Sequence, residues 1–249
     1  MVEAFKRIKP NIIHDIQLVA WKERIMFLSN KEVSLGVFLL PIIYGILFPF
    51  SFSTLKNLIP TLAPSVLILS ISFVAAIISG IDTAYAFAWE RETLTIQTLL
   101  TTRLSDAALV LGKALFGLTS SIIAYLTMLV LYLSTDYFLV SGDPILTIVL
   151  KPEMLYGLLI VPLMFTLFSV STGMVISTKI KSTRTGAGLA ALPALPIVAL
   201  MGWFIFGNPL GLSFFLNLIV ISLILFGISL MCLLLSIGLF KREAMALRQ

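Results

Sequence analysis

Long apolar runs alternate with short polar interruptions along this chain, and that alternation predicts its elements. A bilayer core takes about 20 apolar residues per helical span. Six runs reach that length: residues 33–52, 64–86, 114–134, 154–177, 186–206 and 213–239. Backbone groups left unpaired in lipid are costly, so each run is expected as a helix and not as part of an open sheet. Ahead of the first run, residues 11–30 read as a helix with two apolar faces. Ile12, Ile16, Val19, Met26 and Phe27 share one face, interrupted by Glu23. Leu18, Trp21, Ile25 and Leu28 share roughly the opposite one, with Asp15, Gln17, Lys22 and Arg24 between. Such a segment is expected either as an interfacial helix that also touches protein, or as a plain anchor with Trp21 at the headgroups. The predicted fold class is all-α: a polytopic membrane protein with six transmembrane helices, an N-terminal interfacial helix and a cytoplasmic elbow between spans two and three.

Composition agrees with lipid as the solvent. Only 12% of the 249 residues are charged, about half of the roughly 25% usual in soluble domains. Charge also orients the chain. Of 17 Lys and Arg, all but Lys56 and Lys151 fall in four places on one side. These are the tail before the first run, the second-to-third connection (Arg91, Arg103, Lys113), the fourth-to-fifth connection (Lys179, Lys181, Arg184) and the last residues (Lys241, Arg242, Arg248). The positive-inside rule then predicts a multi-pass protein of the cytoplasmic (inner or plasma) membrane with both termini cytoplasmic. The expected organisation is a tail and interfacial helix at 1–32, a six-span domain at 33–240 and a tail at 241–249. No cleavable leader is evident in the first 32 residues. Although the net charge is +5, the basic residues are scattered between apolar runs. Membrane lipid is therefore the expected neighbour, and nucleic acid is not.

Chemistry-bearing residues are few. A single cysteine, Cys232, permits no intrachain disulfide, and a single histidine, His14, supports no His-rich metal site. Gly112-Lys113 would close a phosphate-binding loop only with Gly at 107 and Ser or Thr at 114, and both are Ala. Serine-hydrolase, zinc and intramembrane-protease readings fail for want of histidine. No catalytic residue, metal ligand set, ATPase motif or bound cofactor is expected in this chain. Hydroxyls recur every seven residues in three runs: Ser65, Ser72 and Ser79; Ser120, Thr127 and Ser134; Ser222, Ser229 and Ser236. Each trio shares one helix face. Either these faces pack helices, or they line a polar path with Ser65, Ser72, Ser79, Asp82 and the kink-forming Pro193 and Pro196 as its candidate residues. Asp82 is the only acid near a span interior. It reads as an ion or proton site, or as a charge near the interface within reach of Arg91. In the fifth run Gly186, Ala190 and Ala194 permit a close helix crossing.

The polar stretch 89–113 interrupts the apolar pattern on the Lys/Arg-rich side, where it is expected to lie in water. Residues 93–101 suit a short helix with Ile96, Leu99, Leu100 and then Leu104 on one side. Ser105 suits an N-cap, with Asp106 in the first turn beyond it. The product is a helix–turn–helix elbow. Its residues resemble the signature of type 2 ATP-binding-cassette (ABC) exporter permeases. Glu90, Arg91, Glu92, Thr95, Leu99, Leu100, Thr102, Ser105, Gly112 and Lys113 match it without gaps. Leu94, Ile96, Gln97 and Arg103 depart from its Gly, Leu, Glu and Pro.

That resemblance implies the transmembrane permease subunit of an ATP-driven exporter. The elbow would be a coupling helix that transmits the closure of a separate ABC ATPase subunit, which binds ATP and Mg. The implied coupling residues are Glu90, Arg91, Glu92, Thr95, Ile96, Gln97, Leu99, Leu100, Thr102, Ser105, Gly112 and Lys113. It further implies a second permease chain, as a homo- or heterodimer, and a central path lined by the second and fifth spans. Two other classes stay open: a secondary transporter, expected to carry paired intramembrane charges or repeat symmetry, and a non-transporting membrane scaffold or assembly factor.

Overall fold

The computed structural model describes residues 12–29, 31–58, 63–93, 95, 102, 104–139, 149, 151–178 and 211–240, with isolated positions between 185 and 207. Six helices account for most of these: α1 (Ile12–Ser29), α2 (Lys31–Leu58), α3 (Ala63–Glu92), α4 (Asp106–Leu139), α5 (Pro152–Ser177) and α6 (Phe214–Leu239). Among the described residues there is no strand. Helices α3, α4, α5 and α6 are each long and apolar enough to cross a membrane, and α2 contains the apolar stretch Phe38–Thr54. The runs expected at 64–86, 114–134 and 154–177 therefore fall within helices, and that at 213–239 is α6 with its Ser213 cap. Of the fifth run only isolated positions are described; its Gly186, Ala190, Pro193, Ala194 and Pro196 lie outside the described residues. So do Ile96, Gln97, Leu99 and Leu100 of the expected elbow helix, and the side chain of Arg91.

Local chemistry sets the helix ends. Helix α3 continues past its apolar run to Glu92, where threonines satisfy carbonyls that the helix leaves free. Both the backbone N–H and the hydroxyl of Thr93 donate to Trp89 O at 2.9 Å, and the Thr95 hydroxyl donates to Glu90 O at 3.4 Å. Helix α4 opens on Ser105, whose Oγ accepts from Ala108 N–H at 3.1 Å, with Asp106 in its first turn. Pro152 begins α5, where a missing N–H costs nothing. Ser213 caps α6 by accepting from Leu216 N–H at 3.4 Å.

Packing centres on α3, α4 and α5. Helices α3 and α5 run parallel and share the most extensive seam, while α4 lies antiparallel against α3. Helix α6 packs along α5, and α1 and α2 pack on α4. The main core gathers Ile68, Phe52, Tyr132, Leu158 and Phe165. A second cluster of Val19, Phe87, Leu109, Met174 and Phe240 sits beneath α1. At the centre Thr83 is wedged between two glycines. A Cβ on Gly117 would meet Thr83 Cγ2, and one on Gly173 would meet Thr83 Oγ1 and, at 3.1 Å, Gly80 O. Three backbones thus converge on one small β-branched side chain, which is how membrane helices gain contact where lipid gives no hydrophobic drive between them.

On the inward face expected of α1, Val19 is buried against α4 and Ile16, Met26 and Phe27 are half-buried, but Ile12 is exposed; Leu18, Trp21, Ile25 and Leu28 on the opposite face are all exposed.

Candidate functional site

Helix α1 crosses the facing ends of α3 and α4, and four charged side chains meet there. Val19 and Glu23 are one turn apart on α1 and so share a face. That face seats against Gly112, where an added Cβ would stand 2.5 Å from Val19 Cβ and 2.9 Å from Ile16 O. The absence of a side chain at 112 therefore lets α1 come close enough for Glu23 to reach Lys113. Lys113 Nζ lies 2.8 Å from Glu23 Oε1 and 2.9 Å from Glu90 Oε2. Lys22, the neighbour of Glu23, reaches round to α3 and places its Nζ 2.5 Å from Glu90 Oε1 and 3.9 Å from Glu23 Oε1. The Phe87 ring completes the lining, its centroid 4.6 Å from Lys113 Nζ.

Electrostatics makes these four a unit. Lys113 and Glu90 are wholly excluded from solvent and Glu23 nearly so; only Lys22 is substantially exposed, at 41% of its side chain. Each buried ion forfeits several kcal/mol of hydration, which only close, well-aligned partners offset. Here each buried charge has two oppositely charged neighbours within 4 Å, or in the case of Glu23 a near and a more distant one. Two cations and two anions leave the quartet neutral. Losing any one member strands a buried charge.

This corrects the expectation of a water-facing stretch at its two ends, Glu90 and Gly112-Lys113. Glu90 is the inward face of the last turn of α3, and Gly112 and Lys113 belong to the second turn of α4. They touch neighbouring helices and not solvent. Counter-charges supplied by α1, remote in sequence, make that burial affordable. Among the other expected elbow residues, Glu92, Thr95 and Ser105 are exposed and Thr102 is half-buried. Glu23 and Lys22 were not among the expected site residues. Their signal was the acid interrupting an otherwise apolar face of α1.

Of the candidate path residues, those on α3 lie in the helix-packing interior, and Pro193 and Pro196 lie outside the described residues. Ser65, Ser72, Ser79 and Asp82 are all buried. Ser72 donates to Ile68 O at 2.6 Å and Ser79 to Ala76 O at 2.9 Å, both on their own helix. Ser229 and Ser236 do likewise on α6, while Ser222 also meets the Tyr156 hydroxyl at 2.7 Å. Asp82 is bonded to Ser120 on α4. Among the described residues no group of three or more His, Cys, Asp or Glu is placed to hold a metal ion. No protein-family model matches the chain, and no curated protein matches it.

Proposed function

We propose that the chain is the membrane permease subunit of an ATP-driven ABC exporter, with the segment between α3 and α4 as its coupling elbow. The reading starts from the resemblance of residues 90–113 to the exporter signature. The observation that carries it is the closure of the elbow's base. Glu90 and Lys113, near the two ends of that segment, form a buried ion pair and share it with α1. A load applied at the elbow's outer residues would then reach α1, α3 and α4 together, because pulling the base apart would strand buried charges. In this scheme Glu92, Thr95, Thr102 and Ser105 face the partner, whereas Glu90, Gly112 and Lys113 brace the lever. ATP and Mg belong to the partner ATPase. Its binding cycle does work on the spans only if it contacts the elbow differently in its two states.

The remaining architecture follows from the same reading. Helix α2 and residues 186–206 complete six spans, both termini are cytoplasmic, and the exposed face of α1 rests in the headgroup layer of the cytoplasmic membrane. A second permease chain, identical or not, completes the path. The test compares Glu92→Ala and Leu100→Asp with Tyr137→Ala, a change at the other end of α4. ATPase co-purification, ATP hydrolysis and transport are measured in membranes holding equal amounts of chain. Both elbow variants should insert normally yet lose transport and either shed the ATPase or uncouple its hydrolysis. Wild-type values in all three assays for both would refute the coupling role.

A further inference from the structure

Asp82 lies on the α3–α4 seam, only 3% exposed. It is two turns deeper along α3 than Glu90, about 12 Å by helical rise, and Ser120 is about 10 Å deeper along α4 than Lys113. The charge quartet is spent at its own level, since Lys113 is held by Glu23 and Glu90. Among the other described titratable groups on the elements around α3, none pairs with Asp82. On α4 the Tyr125 hydroxyl donates to Leu158 O, and Asp106 and Asp136 stand at opposite ends of the helix. On α5 Glu153 and Tyr156 belong to the first turns, far from the level of Gly173 and Thr83. On α2 Tyr44 is exposed, and on α3 itself Tyr85 is half-buried. Among the described residues Asp82 has no ion-pair partner and one hydrogen-bond partner, Ser120, 2.5 Å from Oδ2; Oδ1 has none.

Counting hydrogens distinguishes the two charge states of this carboxyl. Ser120 Oγ carries one hydrogen but stands within bonding distance of two acceptors, Asp82 Oδ2 at 2.5 Å and Gly117 O at 3.1 Å. An ionised carboxylate only accepts, so one of those contacts would hold no hydrogen. A buried charge would also stand with a single neutral partner, at a cost of several kcal/mol. A protonated Asp82 satisfies both contacts at once. Its own O–H donates to Ser120 Oγ, and the Ser120 O–H passes on to Gly117 O. The oxygen left over, Oδ1, is then a neutral carbonyl, far cheaper to leave unpaired than a carboxylate oxygen.

We propose that Asp82 is a proton-binding site: it holds one proton while α3 and α4 are packed and releases it to water when their seam opens. The step is the dissociation of a carboxylic acid into carboxylate and a proton taken by water, and repacking reverses it. Thr83, the next residue, fills the gap between Gly117 and Gly173, so a parting of the helices there would also break the Asp82–Ser120 contact. The assignment does not depend on any ATPase partner.

Infrared spectroscopy tests it on the full chain, in a detergent without carbonyl groups and with isotope-labelled aspartate. At neutral pH the wild type is expected to show a carboxylic-acid C=O band that shifts with the label and disappears in Asp82→Asn. Ser120→Ala keeps the acid but removes its acceptor, and should move the band to higher frequency. That second variant decides the matter if Asp82→Asn does not fold. No label-sensitive acid band in either wild type or Ser120→Ala, or a band that survives in Asp82→Asn, would overturn the proposal.

Discussion

Ser169 donates its hydroxyl to the carbonyl of Ala76 across the α3–α5 seam at 2.5 Å, and Ser177 repeats the bond with Ala84 at 3.1 Å two turns further on. Ser177 Oγ also accepts from Phe87 N–H at 3.1 Å. Between the two bonds Gly173 stands against Gly80. Two rows of small residues at a spacing of four, Ala76-Gly80-Ala84 and Ser169-Gly173-Ser177, thereby set the parallel register of the two helices. Small side chains bring the backbones close enough for hydroxyls to reach carbonyls on the neighbouring helix.

The wedge at Thr83 gives a prediction with an internal control. Gly117→Ala should destabilise the bundle by about 1–3 kcal/mol, the usual range for overpacking. The collision there is with Thr83 Cγ2, so Thr83→Ser in the same chain should restore most of the loss. Gly173→Ala should be as harmful but not rescued, because its added methyl meets Thr83 Oγ1 and the Gly80 carbonyl. Thermal unfolding of the four variants in one detergent measures this, and equal rescue at both glycines would contradict the packing.

Removing Lys113 should be among the most damaging single changes. Lys113→Met leaves Glu23 and Glu90 facing each other in the interior and should cost about 3–5 kcal/mol. Adding Glu90→Gln removes one stranded charge, so the double variant should be more stable than the sum of the two single effects. Denaturant unfolding of the cycle reads the coupling directly. Simple additivity would show that the quartet does not act as a unit.

Trp21, 60% exposed on α1, should report the headgroup layer. In a variant with Trp89 and Trp203 changed to Phe, bromine placed high on the lipid chains should quench Trp21 more strongly than bromine placed near their ends. Stronger quenching by a water-soluble quencher than by either lipid would place this face in water.

Orientation is open to chemical labelling. With Cys232 replaced by Ser, a cysteine at Asp143 should react with a membrane-impermeant reagent added outside intact cells, and one at Arg248 only after lysis. The opposite pattern would invert the topology drawn from the Lys and Arg distribution.

Much of the scaffold was legible because its signals are local. Runs of about 20 apolar residues located α3, α4, α5 and α6. The Ser105 cap could be read from one hydroxyl before a periodic stretch, and the two apolar faces of α1 from their spacing. The site was less legible because its contacts are not local. Lys22 bonds Glu90 across 68 positions and Lys113 bonds Glu23 across 90. A short window around either end therefore holds charges without their partners and reads as a water-facing loop. The small-residue rows on α3 and α5 were visible in principle, but each row means little until its mate is known. In the sequence Asp82 stands out only as a lone acid. Its partnership with Ser120 emerges only when α4 lies antiparallel along α3.

The neutrality of the quartet bears on how the protein would respond to membrane voltage. Moving one elementary charge through the whole field changes the energy by about 2.3 kcal/mol for every 100 mV. Lys22, Glu23, Glu90 and Lys113 sum to zero, so a rearrangement that shifts them together does no electrical work. The four can therefore brace the helices they join without adding a gating charge of their own. Glu90→Gln would leave one uncompensated positive charge there, and any motion of that end would then become sensitive to the polarity of the membrane.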